Sequence, residues 1–224
     1  MAAYIPYMIA SDIVDYVNTN IKPLYEQEST GHDWEHIKNV MINMSHLRQS
    51  IENDTGSIDD GTFSIQNCYL AVVYHDISLT DPRNSRDTHD QDSAQIFEYD
   101  QFIRANIHPK SIERIADAIR KHRASSGKQD RTTLGKLLFQ ADRGFITMTP
   151  EDVFKRSFTF HSKDNTYDTY PEISIKALKH MINKYGDNGY AYDNIYFPQG
   201  VAEFKAKMKV FLDEAKLLFG DKLD

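Results

Sequence analysis

Four residues that are costly to bury fall on the apolar faces of this sequence. His36, in HDWEHIKNV (32–40), lies four residues before Val40 and shares the inward side of its helix. His75, in VVYHDIS (72–78), follows Ala71 by four and Val72 by three, and Asp76 is beside it. Asp142, in LLFQADRG (137–144), comes four after Leu138 and eight after Leu134. Burying two carboxylates costs several kcal/mol each unless something positive offsets them, and no Lys or Arg occupies these stripes. A divalent cation would offset both charges and engage both imidazoles through nitrogen. Two His and two Asp form a mixed nitrogen and oxygen set that suits Mn²⁺, Fe²⁺, Co²⁺, Ni²⁺ or Zn²⁺ better than Ca²⁺. Periodicity carries the reading as far as an intramolecular metal site.

The elements that position these groups read as helices nearly throughout. Ile37, Val40, Met41, Met44 and Leu47 draw one apolar stripe on a helix of roughly 34–50. Residues 65–74 are apolar almost all round, as a central buried helix should be. Further helices are expected from near Thr88, from Pro109 at a first-turn position, and through Leu134, Leu137, Leu138 and Ala141. Thr149 caps another, with Pro150 at its first position and two acids against the helix dipole. PEISIKALKHMINKYG (171–186) ends on Gly186, and a last amphipathic helix runs from about Val201 to Phe219. The stretch 186–200 reads as a short hairpin or an ordered loop. The fold expected is one all-α domain, a helical bundle with a motif-bearing core of about 30–145 and a C-terminal helical extension of about 149–220.

Composition bounds the function classes. The 224 residues suffice for one large domain, and 40% hydrophobic with 26% charged residues is the balance of a soluble globular protein. The longest apolar runs, such as YLAVVY (69–74), fall far short of the ~20 residues that span a bilayer. The N-terminus meets Asp12 and Asp15 early and does not read as a signal peptide. A single cysteine, Cys68, excludes an internal disulfide and fits a reducing compartment, so a cytoplasmic location is expected. A net charge of −7 argues against a broad nucleic-acid surface. It leaves room for a local basic pocket, for which RKHRASSGKQDR (120–131) is the candidate.

Five motifs then follow in order: HDWEHIKNV, VVYHDIS, HDQDSAQIF (89–97), IADAIRKHRASSGK (115–128) and LLFQADRG. Together they resemble the HD-domain superfamily of metal-dependent phosphohydrolases, named for its His-Asp doublet. The likeness continues loosely through HMINKY (180–185) and GVAEFKAKMKVFLDEA (200–215), which are similar to a bacterial subgroup that includes nucleotide pyrophosphohydrolases. The resemblance implies His36, His75, Asp76 and Asp142 as metal ligands, with His89 and His122 near the substrate phosphates. It implies a divalent metal cofactor, Mn favoured among Mn, Ni, Co, Fe, Zn and Mg. Asp76 would orient the nucleophilic water, while Ser126, Lys128 and Arg143 would contact phosphate. Some HD nucleotidases carry a Glu three residues after the doublet; here that position is Leu79, with Asp81 two further on. His32, His46, His108, His161 and His180 are read as surface or structural.

The activity implied is hydrolysis of a small-molecule nucleotide substrate, foremost a (deoxy)nucleoside triphosphate cut to monophosphate and pyrophosphate. A phosphodiesterase of cyclic or linear dinucleotides and a nucleotide-binding sensor without turnover stay open at this point. So does a homodimer, because the helix from Val201 could pack on its own domain or on a second copy.

Overall fold

A computed structural model describes residues 9–27, 31–55, 64–123, 125, 129–164 and 168–223. Helix follows helix, and no strand occurs among the described residues. The chain opens with α1 (Ser11–Tyr16), a π-turn (Val17–Ile21) and α2 (Lys22–Glu26). Ile9, Ile13, Val17, Ile21 and Tyr25 recur at helical spacing and are buried in the main core. This segment, ahead of the motif-bearing stretch, thus supplies part of the main apolar core. The Tyr25 hydroxyl donates to the Val73 carbonyl at 2.7 Å, fixing the segment to the central helix.

The long helix α3 (Trp34–Thr55) buries Ile37, Val40, Met44 and Leu47 along one side. Its start is set by Asp33, whose carboxylate accepts from the His36 amide at 3.0 Å. Trp34 packs against the core with its ring 6.0 Å from that of Tyr25. The helix α4 (Ile65–Tyr74) starts on Ser64, which accepts from the Asn67 amide, and is buried on nearly every side. It can be so apolar because α3, α7 (Pro109–Arg120) and α8 (Thr133–Ala141) enclose it. Each fully buried Leu, Val or Ile here contributes roughly 1.5–3 kcal/mol over its exposed state. A 3-10 turn (Ile77–Thr80) then leads to α5 (His89–Tyr99), which packs along α7, and α6 (Gln101–Asn106) joins the two. Asp100 closes this corner: it caps α6 and accepts from the hydroxyls of Tyr16 and Tyr74, each at 2.7 Å.

The extension consists of α9 (Pro150–Asp164), α10 (Tyr170–Tyr185) and α11 (Val201–Phe219) around a second apolar centre that includes Val153, Leu178, Met181, Phe204 and Met208. Thr149 and Asp152 cap α9 reciprocally, and Thr169 with Glu172 does the same for α10. Gly186 ends α10 with extended rather than left-handed backbone (φ −65°, ψ −177°); the Ile182 carbonyl oxygen lies 2.5 Å from where a Cβ would stand. The stretch 186–200 is an ordered loop with one 3-10 turn (Tyr190–Tyr192), not a hairpin. Gln140 on α8 holds it by accepting from the amides of Tyr196 and Phe197 at 3.0 and 2.9 Å. The loop's last residue, Gly200, has φ +73° and sits against the Phe145 carbonyl, a backbone state and a spacing that a side chain would strain. The inward face of α11, Phe204, Met208, Leu212 and Ala215, packs within its own chain. No helix among the described residues is long and apolar enough to cross a membrane.

Candidate metal centre

His36 sits on the first turns of α3, His75 and Asp76 at the end of α4, and Asp142 at the end of α8. The core brings these helix ends to one point. Asn43 ties two of them: its amide donates to the Ala141 carbonyl and to the Thr147 hydroxyl, each at 3.0 Å. His36 Nε2 lies 3.1 Å from Asp142 Oδ1, 3.4 Å from Asp76 Oδ2 and 3.3 Å from His75 Nε2. His75 Nε2 lies 3.1 Å from Asp76 Oδ2 and 3.6 Å from Asp142 Oδ1.

A second group forms on the other oxygen of the same carboxylate. His89, the first residue of α5, places Nε2 3.3 Å from Asp76 Oδ1, and His122, just past α7, places its own at 3.4 Å. Their two Nε2 atoms are 3.2 Å apart. Asp76 thus stands between two sets of donors, one on each oxygen, and the residue is only 2% exposed.

The tautomers are set by backbone. A helix end leaves carbonyls without intrahelical donors, and the imidazoles use them. His75 Nδ1 donates to Val72 O at 2.8 Å and His122 Nδ1 to Ile119 O at 2.7 Å. His89 Nδ1 donates to Arg86 O at 2.7 Å in the turn before α5. Each Nε2 is then the nitrogen aimed inward, where it holds either a proton or, once that proton is lost, a metal ion. Lone pairs at 3.2–3.3 Å from one another repel unless a cation or a proton sits between them. Asp76 Oδ1 is buried with no hydrogen-bond donor on it. With bonds of about 2.1 Å, donors around one ion lie about 3.0 Å apart at right angles and about 3.4 Å apart at the tetrahedral angle. The observed separations of 3.1–3.6 and 3.2–3.4 Å fit a divalent ion in each set.

The electrostatics agree with a site built for positive charge. Burial alone would push the His75 imidazolium down, but the Asp76 and Asp142 carboxylates raise it to about 10. Burial likewise works against charge on Asp76 and Asp142, yet the surrounding imidazoles hold both carboxyls well below the usual range.

One further histidine, read from the sequence as surface or structural, stands beside the centre. His32 is not a surface residue: its Nδ1 is 2.6 Å from Asp76 Oδ2 and its side chain is 13% exposed. Arg86 Nη2 donates to His32 Nε2 at 3.1 Å, so Nδ1 carries the proton and donates to Asp76. Burial pushes His32 down to about 3, with Arg156 and Arg86 adding to the effect against the pull of Asp76, so it is neutral. The only sequence signal for it was its spacing of four before His36. His32 holds the orientation of a carboxylate shared by both donor sets. His32→Ala is expected to weaken metal affinity about 10–100-fold while leaving the helical circular dichroism unchanged, as read by chelator competition; undiminished affinity would make it a bystander.

Other expectations fall differently. His89 and His122 stand together on Asp76 Oδ1, forming the second group of donors. Arg143 is 2% exposed, lies over the Phe139 ring at 3.7 Å and donates to Asp193 O at 2.7 Å, so it braces the 186–200 loop against α8. Ser126 and Lys128 lie outside the described residues. The described cations of the run 120–131 have partners: Arg120 with Glu98, Lys121 with Asp117, Arg123 with Asp90, and Arg131 on the Lys121 carbonyl. Leu79 lies in the 3-10 turn and Asp81 is bound to Arg83 at the surface, which removes Asp81 as a substitute for the missing Glu.

Set against known proteins, the chain matches no family model, no curated protein and no solved structure.

Proposed function

We propose that this protein is a metal-dependent phosphohydrolase that cuts (deoxy)nucleoside triphosphates to monophosphate and pyrophosphate. The observation that carries the reading is the single carboxylate of Asp76 with imidazole pairs on both of its oxygens. The order of the His, His-Asp, His, His and Asp motifs, which resembles the HD phosphohydrolases, points the centre toward phosphate esters and anhydrides. That likeness is an argument by analogy for the substrate.

His36, His75, Asp76 and Asp142 would hold one divalent ion, Mn²⁺ favoured, and Asp76, His89 and His122 a second. Such an ion supplies Lewis-acid chemistry, lowering the pKa of water and polarising a phosphoryl oxygen. The chain's own residues do the rest. Each oxygen of Asp76 faces a pair of imidazole nitrogens, and the His32 N–H keeps the carboxylate turned. Asp142 presents Oδ1 to His36 and His75 and leaves 27% of its side chain exposed. Asp142 would orient the attacking water by accepting a hydrogen bond from it, a place that Leu79 cannot fill, and with its carboxyl held well below the usual range the proton passes on to solvent. In the reaction the water oxygen bonds to the α-phosphorus, the bond to the α–β bridging oxygen breaks, and pyrophosphate leaves with that oxygen. One proton is released near neutral pH.

Incubating the protein with Mn²⁺ and a panel of nucleoside tri-, di- and monophosphates and cyclic dinucleotides tests this. Monophosphate and pyrophosphate in about equal amounts are expected from triphosphates alone. Product only from dinucleotides would replace the reading by a phosphodiesterase, and binding with no product under any metal by a sensor.

A further inference from the structure

A cleft between the main core and the extension opens beside the metal centre. Its volume is about 470 Å³ including the mouth, and its walls carry His32, Arg86, Arg156, Phe160, His180 and Lys184. Arg86 comes from the turn before α5, Arg156 from α9 and Lys184 from α10. The Arg86 guanidinium lies over the Phe160 ring at 4.3 Å, which holds it across the opening. His32 forms the shared wall, since its other face bonds Asp76.

The charge of this cleft is not compensated locally. No carboxylate lines it, and among the described residues none of Arg86, Arg156 and Lys184 has an ion-pair partner. The run 120–131 shows the contrast: there, the described cations are taken up by acids or carbonyls. The carboxylates that act on Arg86 and Lys184 are those of the metal centre, Asp76 and Asp142 for the first and Asp142 for the second. Cations bound in the centre would cancel that attraction and leave three like charges facing one another. In a chain of net charge −7, such a group is stable against its own repulsion when an anion joins it.

We propose that Arg86, Arg156 and Lys184 form a polyphosphate subsite that binds the phosphates beyond the one held at the metal centre. Two arginines and a lysine present several N–H donors, and an arginine fork matches two phosphate oxygens at once. Binding of a polyphosphate here does not depend on turnover. The assignment of its occupant as the β- and γ-phosphates, the departing pyrophosphate, rests on the phosphohydrolase reading above. The extension is then part of the substrate site, supplying two of its three cations.

The test is calorimetric titration of the Mn²⁺-loaded full chain with the Mn²⁺ complex of inorganic tripolyphosphate, and separately with orthophosphate. Arg156→Gln and Lys184→Gln are each expected to weaken tripolyphosphate binding about 10–100-fold, with orthophosphate changed less than about threefold. Arg104→Gln, an exposed cation on α6, should match the unaltered protein. Arg156→Lys, which keeps the charge but not the two-pronged fork, should lose less than Arg156→Gln and serves where that variant does not fold. Undiminished tripolyphosphate affinity in the folded variants overturns the subsite, and equal losses for both anions overturn its restriction to the tail. Loss of tripolyphosphate binding in a protein that turns over no nucleotide would sink the hydrolase reading and leave the subsite standing. Unchanged triphosphate kcat/KM in Arg156→Gln and Lys184→Gln would do the reverse.

Discussion

Asp76→Ala is expected to empty both cation positions at once and to lower phosphohydrolase turnover about 10³-fold or more, several kcal/mol of lost Lewis-acid assistance. The reason is geometric. Asp76 is the one residue with an atom in each donor set: Oδ2 faces His36 and His75, and Oδ1 faces His89 and His122, all within 3.1–3.4 Å. Asp142→Ala removes a donor from the first set alone, and His122→Ala from the second alone. Metal analysis after equilibration should therefore give about two ions per chain in the unaltered protein, about one in His122→Ala and fewer than about 0.1 in Asp76→Ala. Asp76→Asn, which keeps the size and hydrogen-bonding shape but not the charge, should fall close to Asp76→Ala. Full occupancy in Asp76→Ala, in protein whose helical signal is intact, would overturn the ligand assignment.

Metal affinity should also climb steeply with pH. In the metal-free chain the His75 imidazole, raised to about 10 by Asp76 and Asp142 against the opposing effect of burial, keeps its proton at neutral pH. An ion entering the first set must displace that proton, so affinity rises about tenfold per pH unit, or about a hundredfold between pH 6 and pH 8. Calorimetry in two buffers of different ionisation enthalpy should show about one proton released from His75 per ion bound there. An affinity flat with pH would mean that the imidazole is already neutral.

The same shift governs stability without metal. A pKa raised above the ordinary imidazole value of about 6.5 stabilises the folded chain fully below that pH, and the contribution is lost as pH rises toward 10. The depressed carboxyls of Asp76 and Asp142 act on the acid side, contributing above about pH 4 and failing below it. The metal-free protein should melt highest near about pH 6.5, because His32, held neutral down to about 3, withdraws stability as pH falls below that value, and it should lose on the order of a few kcal/mol by about pH 10. Mn²⁺ should abolish the alkaline part of that decline, because the ion replaces the proton.

Much of this was legible in the chain. The helical class, the order of the long helices and the starts at Pro109 and Pro150 follow from periodicity and capping, which are local properties. The inward aim of His36, His75, Asp76 and Asp142 was readable for the same reason, since a residue four places from a core residue shares its face. Local rules also have a fixed reach. They say which side of its own helix a side chain occupies and nothing of the helix it meets. His89 and His122 stand at helix ends, where the face is set by a backbone carbonyl rather than by a stripe, so their place on Asp76 Oδ1 was not in the pattern.

Two misplacements have the same cause. His32 precedes α3 behind Gly31, whose φ of +90° turns the chain so that the imidazole folds back onto Asp76, forty-four residues away in sequence. The basic cleft draws Arg86, Arg156 and Lys184 from three separate segments, while the described cations of the run dense in positive charge are taken up by acids and carbonyls. Sequence by itself determined the helices and one face of the centre. Tertiary structure alone decided that a single carboxylate serves two donor sets and that unpaired cations gather beside it, because a charge's partners are chosen by packing across the fold and not by distance along the chain.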